Sequence, residues 1–225
     1  MLYAVGDIHG ERDLLEELLG SLPLQPDDRL VFVGDYVDRG PDSKGTVDLL
    51  LDFSKTYSCV FLLGNHESMF LDFLGWRGEQ YFGGDAFLMN GGDRTLASYG
   101  FFDSDAPDPE RFSLPPEHER FYRELCLYHR DGDYLFVHAG IGRDLVEESD
   151  VEYALRKMRA ENLLWDRACA DLPHRLGLTV VYGHTPRSDF HVRWNEPFSI
   201  GIDTGAVYGG NLTAIRLPDE NLFQV

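Results

Sequence analysis

The sequence predicts an α/β protein built in layers, with residues 1–225 forming one domain. Two observations carry this. Short apolar runs rich in β-branched and aromatic residues recur along the chain without strict alternation, as strands buried on both faces do. Segments with helical spacing of leucine and valine separate the first of these runs.

Taken in order, Leu2–Val5 runs into Gly6-Asp7, Leu30–Val33 into Gly34-Asp35, and Val60–Leu63 into Gly64-Asn65. Leu135–Val137 then runs into His138-Ala139-Gly140, and Thr179–Tyr182 into Gly183-His184. Phe198–Ile202 and Leu212–Leu217 are two further strands. Leu14, Leu15, Leu18, Leu19 and Leu22 predict a first helix, and Val47, Leu50, Leu51 and Ser54 a second. Ser149-Asp150-Val151-Glu152 reads as a capping box opening a third. Gly75–Pro116, rich in Gly, Asp, Pro and aromatics, reads as an irregular excursion. Its Trp76, Tyr81 and Phe82 either line a substrate rim or pack the excursion onto the sheet.

Composition excludes several roles. The net charge is −19, too acidic for a general nucleic-acid binder or for an anionic membrane surface. No apolar run approaches the ~20 residues of a membrane helix, and the amino terminus has no signal-peptide pattern. Cys59, Cys126 and Cys169 are odd in number and widely spaced, which fits small core residues in a reducing, cytoplasmic setting.

The chemistry lies where the strands stop, because ligands of open α/β sheets bind at the carboxyl ends of the strands. There the sequence offers Asp7, His9, Asp35, Asn65, His138 and His184. Mixed carboxylate, carboxamide and imidazole donors without thiolate suit Mn, Fe, Zn, Ni or Mg. Six ligands exceed what one catalytic ion takes, so two divalent ions sharing a carboxylate are expected. Beside them, Arg39 offers a planar fork for phosphate oxygens, His66 a general acid, and Asp38 a carboxylate to orient that imidazole.

Gly6-Asp7-Ile8-His9-Gly10, Gly34-Asp35-Tyr36-Val37-Asp38-Arg39-Gly40, Gly64-Asn65-His66-Glu67, His138-Ala139-Gly140 and Gly183-His184-Thr185 together resemble the calcineurin-like metallophosphoesterases. They are more similar still to the phosphoprotein phosphatase branch in its short bacterial and phage form. The resemblance implies an α/β/β/α sandwich. It also implies Asp7, His9 and Asp35 around one ion, and Asp35, Asn65, His138 and His184 around the other. Direct hydrolysis is then expected. A hydroxide between the metals, manganese foremost, attacks phosphorus in line, and His66 steered by Asp38 protonates the departing alkoxide. A second phosphate-binding arginine is implied at Arg167, after Trp165-Asp166, with Arg156, Arg159 and Arg187 as rivals.

The implied activity is that of a serine/threonine protein phosphatase acting on a phosphorylated peptide, protein or small phosphoester. The alternative is a symmetrical bis(5'-nucleosyl)-tetraphosphatase. That group typically shows Asp where this chain has Glu67, and usually varies the position of Asp38. A non-catalytic scaffold ranks below both, since every expected ligand is present. His118, His129, His174 and His191 read as surface or satisfied core residues, and Tyr208 as either a pocket residue or a turn-packing aromatic.

Overall fold

The computed structural model describes residues 1–101, 111–168 and 172–225; Cys169 and part of the Gly75–Pro116 excursion lie outside them. The chain opens with three strand–helix units: β1 (Leu2–Val5), α1 (Arg12–Ser21), β2 (Arg29–Phe32), α2 (Ser43–Phe53), β3 (Ser58–Phe61) and α3 (Asn65–Phe73). The excursion follows, with α4 (Gly92–Ser98) and α5 (Pro116–Glu124). Next come β4 (Tyr128–Asp131), β5 (Tyr134–Val137), α6 (Val151–Lys157), α7 (Ala160–Trp165) and β6 (Thr179–Tyr182). β7 (Arg193–Asn195), β8 (Ser199–Gly201), β9 (Thr213–Leu217) and β10 (Asn221–Gln224) complete the chain.

Two five-stranded sheets result, in the orders β10-β9-β1-β2-β3 and β4-β5-β6-β8-β7. β1, β2 and β3 are parallel to one another, as are β5, β6 and β8, and the remaining strands join antiparallel. Alternation along each strand explains the layers. Leu2, Ala4 and Val31 face Phe136, Val181 and Ile200 across the space between the sheets. Tyr3, Val5, Leu30 and Phe32 point the other way, against Leu15, Leu18, Val47 and Leu50 of α1 and α2. Leu135, Val137, Val180 and Tyr182 meet Ala154 and Leu163 of α6 and α7. The order is therefore helix, sheet, sheet, helix. Both strand faces are apolar because each faces a different core.

All seven expected strands and all three expected helices form, with ends shifted by a few residues. The capping box moves by one position. Asp150 rather than Ser149 caps α6, accepting from the Tyr153 N–H, and Glu148 accepts from the Ser149 and Asp150 N–H groups. Three strands carry no sequence signal: β4, β7 and β10 are short, polar edge strands. In the excursion, Trp76 and Tyr81 meet edge to face and the Arg123 guanidinium lies over Trp76, so these rings pack against the core. Phe82 lines a cavity of about 510 Å³ with Leu127, Met158 and Ala160. Cys59 and Cys126 are free thiols, half-buried at the edges of the apolar clusters. His118 and His174 are buried with hydrogen-bond partners, His129 is half-buried and His191 exposed.

Candidate metal centre

The carboxyl ends of five strands meet at one place, and the polar residues that follow them converge there. Asp7 and His9 follow β1, Asp35 follows β2, Asn65 follows β3, His138 follows β5 and His184 follows β6. Each is buried. Ligand atoms of His9, Asp35 and His66 lie within 4.8 Å of one another, and so do those of Asp35, His138 and His184. Asp35 belongs to both groups.

The loops are shaped for this convergence. Seven described non-glycine residues have positive φ, and five of them, His9, Asp35, Asp38, Arg39 and His184, belong to the cluster. A left-handed backbone costs a side-chain-bearing residue roughly 1–3 kcal/mol, so the surrounding structure must hold it. Glu67 supplies much of that hold. Its fully buried carboxylate accepts N–H groups from Gly64 (3.0 Å), Asp35 (2.9 Å), Tyr36 (2.7 Å) and Val37 (3.1 Å). Burial and the Asp35 charge push the Glu67 carboxyl up, while these N–H groups pull against them. Glycine allows the remaining close approaches. A Cβ on Gly64 would run into the Asp35 carboxylate, and one on Gly183 into that of Asp7.

Tautomers show what the donors face. His138 Nδ1 donates to the Val33 carbonyl (2.8 Å), and His9 Nδ1 to that of Val37 (2.9 Å). The Nε2 lone pairs are thereby freed, as in metal-ligating histidines. That of His138 points at Asn65 Oδ1 (2.9 Å) and Asp35 Oδ1 (3.4 Å), and that of His9 at Asp35 Oδ2 (3.5 Å). Acceptors facing acceptors in a buried site call for cations between them. His9 Nε2 also accepts from Arg39 Nη1 at 2.7 Å. His184 meets Asn65 Oδ1 through Nδ1 (2.8 Å), leaving its Nε2 and Asp7 Oδ1 buried without hydrogen-bond partners. The donor set thus fits a pair of divalent ions.

The charges agree. Burial drives His9 down to about 3 and His184 to about 2, so both are neutral imidazoles ready to ligate. Burial works to raise Asp35, yet His138, His66, His9 and His184 around it hold its carboxyl well below the usual range. Asp7 is pushed up by burial and by the charges of Asp203 and Asp35.

Asp203 is the residue the sequence reading missed. It is buried behind β8, where burial pushes its carboxyl up to about 6, and one of its oxygens accepts the Gly205 N–H at 3.0 Å. The signal was available, since Asp203 directly follows the apolar run Phe198–Ile202, as the other donors follow theirs.

Beside these donors, Asp38 Oδ2 accepts the Nδ1–H of His66 at 2.6 Å, and both residues are buried. The His66 N–H donates to Asp35 Oδ1 at 3.0 Å. Among the four arginines weighed as a phosphate ligand, the charge of Arg167 acts on His138, His184 and Asp203. Arg187 instead pairs with Asp189 (3.1 Å), Arg159 lies 4.0 Å from Asp144, and Arg156 is exposed on the last turn of α6. Tyr208 is half-exposed, with the Arg39 guanidinium 5.5 Å from its ring centre.

The calcineurin-like phosphoesterase family profile matches residues 2–212. The chain belongs to that family. It is 30% identical to an asymmetrical bis(5'-nucleosyl)-tetraphosphatase, PrpE, of Anoxybacillus flavithermus, over 100% of this chain and 94% of the relative. A PrpE of a Geobacillus species is also 30% identical, over 98% of this chain and 92% of its own. Among solved structures, one provisionally described as a diadenosine tetraphosphatase superposes with a TM-score of 0.62 at 24% identity, covering 100% of this chain and 92% of that one. A serine/threonine protein phosphatase from Saccharomyces cerevisiae gives 0.58 at 18%, covering 100% and 78%. These superpositions agree with the sandwich fold. Metallophosphoesterases of this family are typically dinuclear, in accord with the two donor groups sharing Asp35. No helix among the described residues is long and apolar enough to cross a membrane.

Proposed function

We propose that this phosphoesterase hydrolyses phosphomonoesters with poor leaving groups, serine and threonine phosphates foremost. The observation that carries this reading is the buried 2.6 Å pair of Asp38 and His66 beside the ligand cluster. An alkoxide leaves phosphorus only with a proton, whereas an aryl oxide or a polyphosphate, being weakly basic, needs little help.

Asp7, His9, Asp35, Asn65, His138 and His184 would hold two divalent ions, which when bound supply Lewis acidity toward phosphoryl oxygens and an activated water. His66 keeps its Nδ1–H on Asp38, so Nε2 is the atom that carries the proton to the leaving oxygen. Arg39 and Arg167 flank the cluster and offset charge on the phosphoryl oxygens.

A second reading is asymmetrical cleavage of dinucleoside tetraphosphates. The relatives matched along almost their whole length favour it by name, and they are named for the asymmetrical reaction, whereas the alternative weighed from the sequence was the symmetrical one. One assay separates the two. Chelator-stripped protein, with and without added Mn²⁺, is offered a phosphothreonine peptide and diadenosine tetraphosphate side by side. Higher metal-dependent kcat/KM on the peptide supports the first reading, and higher kcat/KM on the dinucleotide replaces it with the second.

A further inference from the structure

Asp38 is held from an unexpected direction. Helix α4 lies within the excursion, 57 residues further along the chain, and carries the buried Thr95. Thr95 Oγ1 donates to Asp38 Oδ1 at 2.6 Å and accepts the Asp38 N–H at 2.8 Å. Ser43 Oγ lies 3.0 Å from Thr95 Oγ1 and also accepts the Asp38 N–H, at 3.1 Å.

Counting protons fixes the direction of this network. An ionised Asp38 only accepts. The one hydroxyl proton of Thr95 therefore goes to Asp38 Oδ1, and the Ser43 hydroxyl proton goes to Thr95. Oδ1 is engaged by Thr95 and Oδ2 by His66 Nδ1, so the carboxylate plane is pinned at both ends. The same segment steadies Arg39. The Gly91 carbonyl accepts the Arg39 N–H at 3.2 Å, and a Cβ on Gly91 would stand 2.7 Å from that nitrogen. Asp38 and Arg39 both have left-handed backbones, at φ of 70° and 67°, which a free loop would not keep.

We infer that Thr95 is a positioning residue for the Asp38–His66 pair, so that the Gly91–Thr95 part of the excursion belongs to the catalytic apparatus. The inference rests on the proposal that His66 protonates the leaving group. Removing the Thr95 hydroxyl frees one carboxylate oxygen and lets Asp38 turn, which disturbs proton delivery without touching a metal ligand.

The test uses three variants of the full chain, Thr95→Val, Thr95→Ser and His66→Ala, each loaded with Mn²⁺ and checked for metal content and melting temperature. Each is assayed on an alkyl phosphate and on an aryl phosphate with a good leaving group. Thr95→Val is expected to lose about 10–100-fold in kcat on the alkyl ester and much less on the aryl ester, the scale of outer-sphere partners of a reactive group. Thr95→Ser, which keeps the hydroxyl, should retain most activity on both. The inference is overturned if His66→Ala discriminates between the esters but Thr95→Val loses both equally, or if folded Thr95→Ser is as impaired as Thr95→Val. If His66→Ala itself does not discriminate, the leaving-group reading falls and the inference falls with it.

Discussion

His66 Nδ1 donates to Asp38 Oδ2 at 2.6 Å inside a fully buried pair, and the backbone N–H of His66 donates to Asp35 Oδ1. One histidine is thus tied to the carboxylate that orients it and to the carboxylate shared by both donor groups. Its ring stands edge-on to His9 at 4.6 Å between centroids. As the proposed acid, His66 would act directly beside the Asp7, His9, Asp35, Asn65, His138 and His184 donors.

Replacing His66 by Ala should therefore separate catalysis from metal binding. We expect kcat to fall by about 10²–10⁴-fold on alkyl phosphates and less on aryl phosphates, with metal content unchanged. Equal losses on both substrate types would remove His66 from the acid role.

Asp35→Asn should disturb both donor groups, because the carboxylate oxygens face His9 on one side and His138 on the other. Elemental analysis of the purified protein is expected to give two ions per chain for the wild type and fewer than one for the variant. A variant that still carries two would refute the shared position.

Of the arginines, Arg167→Ala should lower kcat/KM by about 10²-fold, the scale of one lost donor to a developing oxyanion. Arg156→Ala, on an exposed turn, should stay within about twofold. Steady-state kinetics on one phosphoester decides the matter, and the reverse ranking would reassign the second phosphate ligand.

Glu67→Gln should chiefly affect stability. It replaces a carboxylate oxygen by an amide NH₂ that faces N–H donors, leaving buried donors unpaired at about 1–3 kcal/mol. Urea unfolding should show a lower midpoint with an unchanged slope. An unshifted midpoint would mean that the Asp35–Val37 loop does not depend on this anchor.

Burial pushes the Cys59 thiol up to about 12. At pH 8 the thiolate fraction is then about 10⁻⁴, so Cys59 should resist iodoacetamide in the native protein and react in urea. Peptide mass spectrometry reads this directly, and rapid native labelling at Cys59 would contradict it.

Much of this molecule is legible residue by residue. A strand buried on both faces announces itself as an apolar run, and a donor held at its end must be the residue that follows. Asp7, Asp35, Asn65, His138 and His184 are therefore fixed by local order once parallel strands are accepted. The edge strands β4, β7 and β10 are not legible, because their pairing depends on a neighbour's free edge rather than on their own periodicity. Whether Ser149 or Asp150 caps α6 is decided by one turn of backbone, beyond the resolution of a pattern.

The sequence by itself determined the family of chemistry: six metal-type donors, an imidazole and its carboxylate, each at a strand end. Only the tertiary structure decided what steadies them. Thr95 reaches Asp38 across 57 residues, and Glu67 gathers N–H groups from the Asp35–Val37 loop. These contacts follow from how two sheets and an excursion pack together. A serine, threonine or acid that satisfies a distant backbone leaves no periodic trace in its own segment.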